Sequence, residues 1–273
     1  NENFWANAAG PDGIGLQEYW AAAGQQGAQR FADGPHTVFE LYNEPYPTLV
    51  DAGVCATPVG CPEFDTGDLA SLYRKVLKAI RPVSLDRLIF VEPTGFFGFL
   101  QAHTWLPSMQ DPQVAFAFHD YCAPGLYGAP VATVCDPLVS LGLANAQSHF
   151  DSTGETGLLD EFGAGDSNDD TAYLLAQMDQ QMVSWMHWAY WAQDFGKPAT
   201  YGLVNDPSKE PTGSNVKQAL LTILTWPSPR LIAGTPQGWN WNSSTSTFTA
   251  AYSTARAADG GSFPAGAVST FFT

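Results

Sequence analysis

Short apolar runs of strand character alternate with stretches of helical periodicity between residues 15 and 225, and this alternation most limits what the chain can fold into. A helix is expected over Gly15 to Ala32, where Leu16, Tyr19, Trp20, Ala23, Ala28 and Phe31 recur at about helical spacing until Asp33-Gly34-Pro35 breaks the pattern. A strand from Thr37 to Tyr42 follows. The design repeats over Asp65 to Ile80, where Leu69, Leu72, Tyr73, Val76, Leu77 and Ile80 form one face and Lys75 and Lys78 the other, ahead of a strand from Arg87 to Glu92. Next come a loop helix around Gly98 to Leu106, a strand from Val114 to His119, a helix near Leu138 to Ser152 and a strand over Gly157 to Gly163. A helix over Thr171 to Met182, a strand over Ser184 to Trp191 and a closing helix over Asn215 to Thr225 complete the series. Such alternation predicts an α/β protein with a parallel sheet covered by helices.

Five strands precede Pro227, whereas a closed eight-stranded barrel needs three more. Beyond Pro229 the texture changes to Trp239-Asn240-Trp241-Asn242 and Thr247 to Tyr252, which alternate as a hairpin does. The expected domains are 1–229, an α/β barrel in part, and 230–273, an incomplete β-sandwich module.

Composition narrows the partners. With 45% hydrophobic and 13% aromatic residues among 273, the chain can bury a large core. A net charge of −16 argues against nucleic acid and anionic membrane surfaces as electrostatic partners. No apolar run approaches the roughly 20 residues that span a bilayer, so no transmembrane segment is expected. The opening Asn1-Glu2-Asn3-Phe4-Trp5 has no signal-peptide character and reads as a mature or trimmed start. The cysteines form two local pairs, Cys55 with Cys61 and Cys122 with Cys135, each enclosing a loop with Pro or Gly and neither in Cys-x-x-Cys form. Two short-range disulfides, an oxidising compartment and secretion are expected, with four unpaired buried thiols as the alternative. No metal and no cofactor is expected, and His36, His103, His149 and His187 fall in no motif.

Two strand-like runs stop on a carboxyl: Val38-Phe39-Glu40-Leu41-Tyr42-Asn43-Glu44-Pro45 and Gly157-Leu158-Leu159-Asp160-Glu161-Phe162-Gly163. The C-terminal mouth of parallel strands is where α/β barrels place their chemistry, and two glutamates there point to glycoside hydrolysis. A third strand-end acid, Glu92, is positioned either to meet sugar hydroxyls or the aglycone or to make a structural hydrogen bond. His119 and Tyr121 are two apart on a strand, so their side chains share one face and Asp120 takes the other. Trp188, near the end of the last strand, is the expected indole platform beneath a sugar ring, with Trp191 as the fallback. The apolar loop Phe96-Phe97-Gly98-Phe99-Leu100 suits either transient contact with a lipid tail or burial under a loop helix.

Asn43-Glu44-Pro45, His119-Asp120-Tyr121, Glu161-Phe162-Gly163 and the tryptophans near Trp188 together resemble glycoside hydrolase family 5, the cellulase-type retaining hydrolases. Within it the chain is most similar to the endoglycoceramidase branch, through Pro11-Asp12-Gly13-Ile14-Gly15-Leu16-Gln17, Glu40 to Pro45, Phe118 to Gly125, Asp160 to Ala164 and Ala233-Gly234-Thr235-Pro236. Asp120 departs from the branch, whose members place an aromatic there. The resemblance implies a (β/α)8 TIM barrel whose fourth strand carries Asn-Glu-Pro, so that strands four to eight are present and the first three are lacking. It implies Glu44 as acid/base, Glu161 as nucleophile, Asn43 on the sugar 2-hydroxyl, and Tyr121 aiming Glu161 with His119 supporting the same network. It also implies a glycolipid or β-glycan substrate, cleaved between oligosaccharide and ceramide. The alternatives are a β-glucanase or a β-glucosidase acting on small glucosides such as steryl glucosides, and, in another class, a non-catalytic carbohydrate- or lipid-binding protein.

Overall fold

The computed structural model describes residues 2–34, 37–47, 55, 59–97, 103–121, 132–163, 168–181, 184–185, 202–257 and 259–273. Cys122, Trp188, Trp191, His36 and His187 lie outside the described residues. The chain forms two compact units, Asn1–Asp120 with Ala144–Asp160, and Tyr121–Leu143 with Glu161–Thr273.

The first unit contains α1 (Glu2–Trp5), α2 (Leu16–Arg30), β1 (Phe39–Glu40), a π-helical segment (Phe64–Leu69) leading into α3 (Ala70–Ile80), and β2 (Ile89–Val91). It also holds all but the last residue of β3 (Val114–Tyr121) and the start of β4 (Gly157–Gly163). β1 pairs with β2 and β2 with β3, both in parallel, with Phe39 opposite Ile89 and Ile89 opposite Val114. β4 and β5 (Ser184–Trp185) continue that sheet in chain order. Every residue of β2 and β3 is buried, which is why these strands read as continuous apolar runs.

α3 buries Leu72, Tyr73, Val76, Leu77 and Ile80, the face its periodicity predicts. α2 forms where a helix is expected and buries Ala28, but packs through a different face than its aromatics suggest. Tyr19, Trp20 and Phe31 are exposed, and the buried positions are Gln17, Ala21 and Ala28. The small-residue stripe faces α3 because it permits close approach: a Cβ added at Gly24 would lie 3.2 Å from Val76 Cγ1. Trp20 instead lies against Tyr42, ring centroids 5.5 Å apart, and donates its indole N–H to Leu41 O at 3.0 Å.

Several boundaries also differ from expectation, among them those of β2 (Ile89–Val91) and the closing helix (Gln218–Leu224). β1 is shorter than Thr37 to Tyr42, although Leu41 N still donates to Phe90 O. Of the helix expected around Gly98 to Leu106, residues 98–102 lie outside the described residues and 103–106 form no helix; Asp65 accepts the amide of Trp105 at 2.8 Å and the hydroxyl of Thr104 at 3.1 Å. The helix expected from Leu138 starts earlier, as α4 (Ala132–Thr153), with Pro137 inside it. Phe97 is buried against Phe116 and Phe118, which takes this part of the apolar loop into the core. The Cys55–Cys61 disulfide is formed, and Cys135 is buried and disulfide-bonded.

In the second unit, α5 (Asn168–Gln181) and the short α6 (Gln218–Leu224) accompany four antiparallel strands, β6 (Ser228–Leu231), β7 (Thr235–Asn242), β8 (Thr247–Ser253) and β9 (Thr270–Phe272). β7 and β8 form the expected hairpin, with Trp239 opposite Ala250, and Asn242 Oδ1 accepts the amides of Ser244 and Thr245 in its turn. β6 pairs with β9, and the Phe271 ring lies 5.9 Å from Phe248 and 6.3 Å from Tyr252, joining the two small sheets.

Trp239 Nε1 donates to Asp179 Oδ1 at 2.7 Å, tying the hairpin to α5. Burial pushes the Asp179 carboxyl up to about 6, against the lowering effect of that indole bond. A folded-state pKa above the unfolded value means the ionised group opposes folding above about pH 6, and stability returns as pH falls toward the unfolded pKa. Asp179→Asn keeps an acceptor for the indole and removes the charge. Its Tm is expected to exceed the parent's at pH 7.5, with a smaller gap at pH 5; a lower Tm at both values would contradict this assignment.

Candidate active site

The chain leaves β1 into a bend at Asn43 and Glu44, and Glu44 adopts φ 43°, the left-handed region that glutamate rarely enters. Its amide, past the end of the ladder, donates to Glu92 Oε2 at 2.9 Å. Glu92 follows β2 directly and is only 2% exposed. Its backbone is gripped by the fully buried Tyr73, whose hydroxyl donates to Glu92 O at 2.7 Å and accepts Glu92 N at 3.2 Å. Burial holds the Tyr73 phenol well above its usual range, so it stays a donor.

His119, 6% exposed near the end of β3, places Nδ1 at 3.0 Å from Glu44 Oε1. Its Nε2 lies 3.5 Å from Glu92 Oε1 and 3.7 Å from Asp160 Oδ1. Burial pushes Glu92 up to about 9 and Asp160 up to about 8, opposed in both cases by His119 and reinforced by Glu40. The charged form of both acids is thus disfavoured where they lie buried beside His119. Asn43 is exposed beside Glu44.

The second unit places Tyr121 Oη 2.8 Å from Glu161 Oε2, donating to it. Tyr121 is buried, and its hydroxyl satisfies one carboxylate lone pair and fixes the direction the group faces. Asp120, between His119 and Tyr121, is wholly buried with neither oxygen hydrogen-bonded to a described residue. Burial holds it well above the usual carboxylate range.

The structure thus brings Glu44, Glu92 and His119 together, and Tyr121 with Glu161. Glu40 and Asp160 escaped the reading of motifs. For Asp160 the signal was alternation: it shares parity on β4 with Leu158, a residue that packs on the Phe90, Ala115 and Ala117 core. An acid on a strand face that is otherwise apolar is the informative exception.

Polar chemistry gathered at the C-terminal ends of parallel strands, above an apolar layer of the same strands, defines an α/β-barrel protein with its site at the strand mouths. Residues 4–194 match the family model described as Cellulase (glycosyl hydrolase family 5), and the chain belongs to that family. Its five-stranded sheet is part of the family's (β/α)8 barrel. Among curated proteins, Endoglycoceramidase I of Rhodococcus hoagii (strain 103S) is 27% identical over 209 residues, covering 72% of this chain and 41% of that protein. Endo-glycoceramidase II from Rhodococcus sp., solved as a ganglioside GM3 complex, matches at 25% identity and TM-score 0.67 over 88% of this chain and 51% of that one. The same enzyme, solved as a lactosyl-enzyme intermediate, matches at 26% identity and TM-score 0.67 with the same coverage. The chain spans about half the length of these solved relatives.

Proposed function

We propose that the protein is a retaining β-glycosidase that cleaves the bond between oligosaccharide and ceramide in glycosphingolipids, with Glu44 as acid/base and Glu161 as nucleophile. The observation that carries the reading is a strand-end glutamate, Glu161, aimed by a buried tyrosine hydroxyl at 2.8 Å. In the first half-reaction Glu161 attacks the anomeric carbon while the glycosidic C–O bond breaks, and Glu44 gives its proton to the departing oxygen. In the second, water attacks the glycosyl ester with Glu44 accepting its proton, which restores both acids. The ceramide oxygen leaves as a primary alcohol, a poor leaving group, so proton donation matters greatly for this substrate.

Family membership supports hydrolysis of a glycosidic bond, the lactosyl-enzyme intermediate of a relative supports the covalent route, and that relative's GM3 complex supports the lipid-linked substrate. A secreted location is part of the proposal, supported by the Cys55–Cys61 bridge.

The test presents the protein with a lactosyl-headed glycosphingolipid and, separately, a fluorogenic β-glucoside. Ceramide and intact lactose are expected from the first. Turnover of the glucoside alone would replace this reading with a β-glucosidase, and glycolipid binding without turnover of either would replace it with a carbohydrate- or lipid-binding protein.

A further inference from the structure

One buried side chain reaches Glu44 by two routes. Glu92 Oε2 accepts the Glu44 amide at 2.9 Å, and Glu92 Oε1 faces His119 Nε2 at 3.5 Å, while the opposite nitrogen of that ring meets the Glu44 carboxylate at 3.0 Å. The groups run in series from the backbone of Glu44 through Glu92 and His119 to its own carboxyl group, with hydrogen bonds at the two ends and a 3.5 Å approach, not a hydrogen bond, between Glu92 Oε1 and His119 Nε2. Both supports are themselves fixed: Tyr73 clamps both backbone groups of Glu92, and His119 is 6% exposed on a fully buried strand.

Such an arrangement calls for a reason. A glutamate in the left-handed region is strained by about 1 kcal/mol or more and persists only where its surroundings enforce the geometry. Burying a carboxyl group to 2% exposure is also costly unless its lone pairs are used. At Glu92 one cost answers the other, because the carboxyl oxygen accepts an amide that the bend removes from the sheet ladder. The geometry also aims Glu92 away from a sugar: one oxygen is taken by a main-chain amide and the other is turned to an imidazole.

We propose that Glu92 is the positioning residue for Glu44, holding its amide in the left-handed bend and, through His119, holding its carboxyl group toward the glycosidic oxygen. The proposal deepens the functional reading above and rests on Glu44 being the acid/base.

Two variants, Glu92→Ala and Glu92→Gln, are compared on two substrates. One is a glycosphingolipid, whose leaving alcohol needs a proton. The other is a dinitrophenyl β-glycoside with azide added, whose leaving group departs unprotonated and whose acceptor needs no base. Glu92→Ala is expected to lower kcat on the glycolipid by about 100-fold, the scale of an ångström-sized misplacement of a catalytic group, with KM within about threefold. On the dinitrophenyl substrate with azide the same variant stays within about fivefold of the parent, because neither step there draws on the proton chemistry of Glu44. Glu92→Gln keeps an acceptor for the amide and recovers glycolipid turnover to within about tenfold of the parent. Crystal structures supply a readout that does not depend on turnover: Glu44 leaves the left-handed region in Glu92→Ala and keeps it in Glu92→Gln.

Equal losses on both substrates in a folded Glu92→Ala protein would overturn the proposal, as would a raised KM with unchanged kcat, which marks a sugar contact. An unmoved Glu44 in the Glu92→Ala crystal overturns it regardless of activity. A parent protein that turns over neither substrate refutes the functional reading instead, and the crystallographic comparison still decides what Glu92 does.

Discussion

Glu161→Ala is expected to lower kcat by on the order of 10⁴-fold or more, and added azide to restore part of the turnover as a glycosyl azide of inverted configuration. The loss follows from the role: without a carboxylate on that face of the ring no covalent ester forms, and general-acid assistance alone leaves the oxocarbenium ion uncaptured. The rescue follows from the space. Alanine opens a gap where the carboxylate stood, under the hydroxyl of Tyr121 that donates to Glu161 at 2.8 Å, and a small anion can occupy it. Attack from there occurs once rather than twice, so the configuration inverts. Product stereochemistry by NMR and kcat with and without azide are the measurements. Normal turnover by the variant, or a rescued product of retained configuration, would remove Glu161 from the nucleophile's role.

Glu44→Gln should lose about 10²- to 10⁴-fold on a glycosphingolipid and far less on an aryl glycoside with an acidic leaving group. Glutamine preserves the side-chain shape and the amide bond to Glu92 at 2.9 Å, so the loss reports the missing proton rather than a collapsed bend. Azide should accelerate this variant too, but by intercepting the glycosyl-enzyme where no base is required, giving a glycosyl azide of retained configuration. The two variants therefore give opposite stereochemistry with the same anion. Exchange of those outcomes would reverse the two assignments, and equal losses on good and poor leaving groups would show that Glu44 is not the proton donor.

The amphipathic face of α3 was readable because a single-sided helix shows its buried stripe in the spacing of Leu72, Tyr73, Val76, Leu77 and Ile80. α2 misled for a physical reason. Its aromatics Tyr19 and Trp20 carry more hydrophobicity than Ala21 or Gly24, yet the helix packs through its small residues because they let α3 come close. Periodicity can show that a face exists; it does not show which face a neighbour will accept. The irregular segment after residue 102 was misread for a similar reason, since Asp65, which binds it, lies some 40 positions earlier in the chain.

At the site, Glu44, Glu92 and Glu161 were legible as acids that end apolar runs, and His119 and Tyr121 as partners on one strand face. These are local properties: residue type, alternation and the position of a turn depend on neighbours a few places away, so the order of residues alone determined them. The series of contacts through Glu92 was a tertiary decision. Its members are 48 and 75 positions apart, and whether a carboxyl group meets an amide, an imidazole or water is settled by burial and by which strand lies alongside. The raised pKa values of Glu92 and Asp160 have the same origin, because removal from water is a property of the folded environment and of no residue by itself.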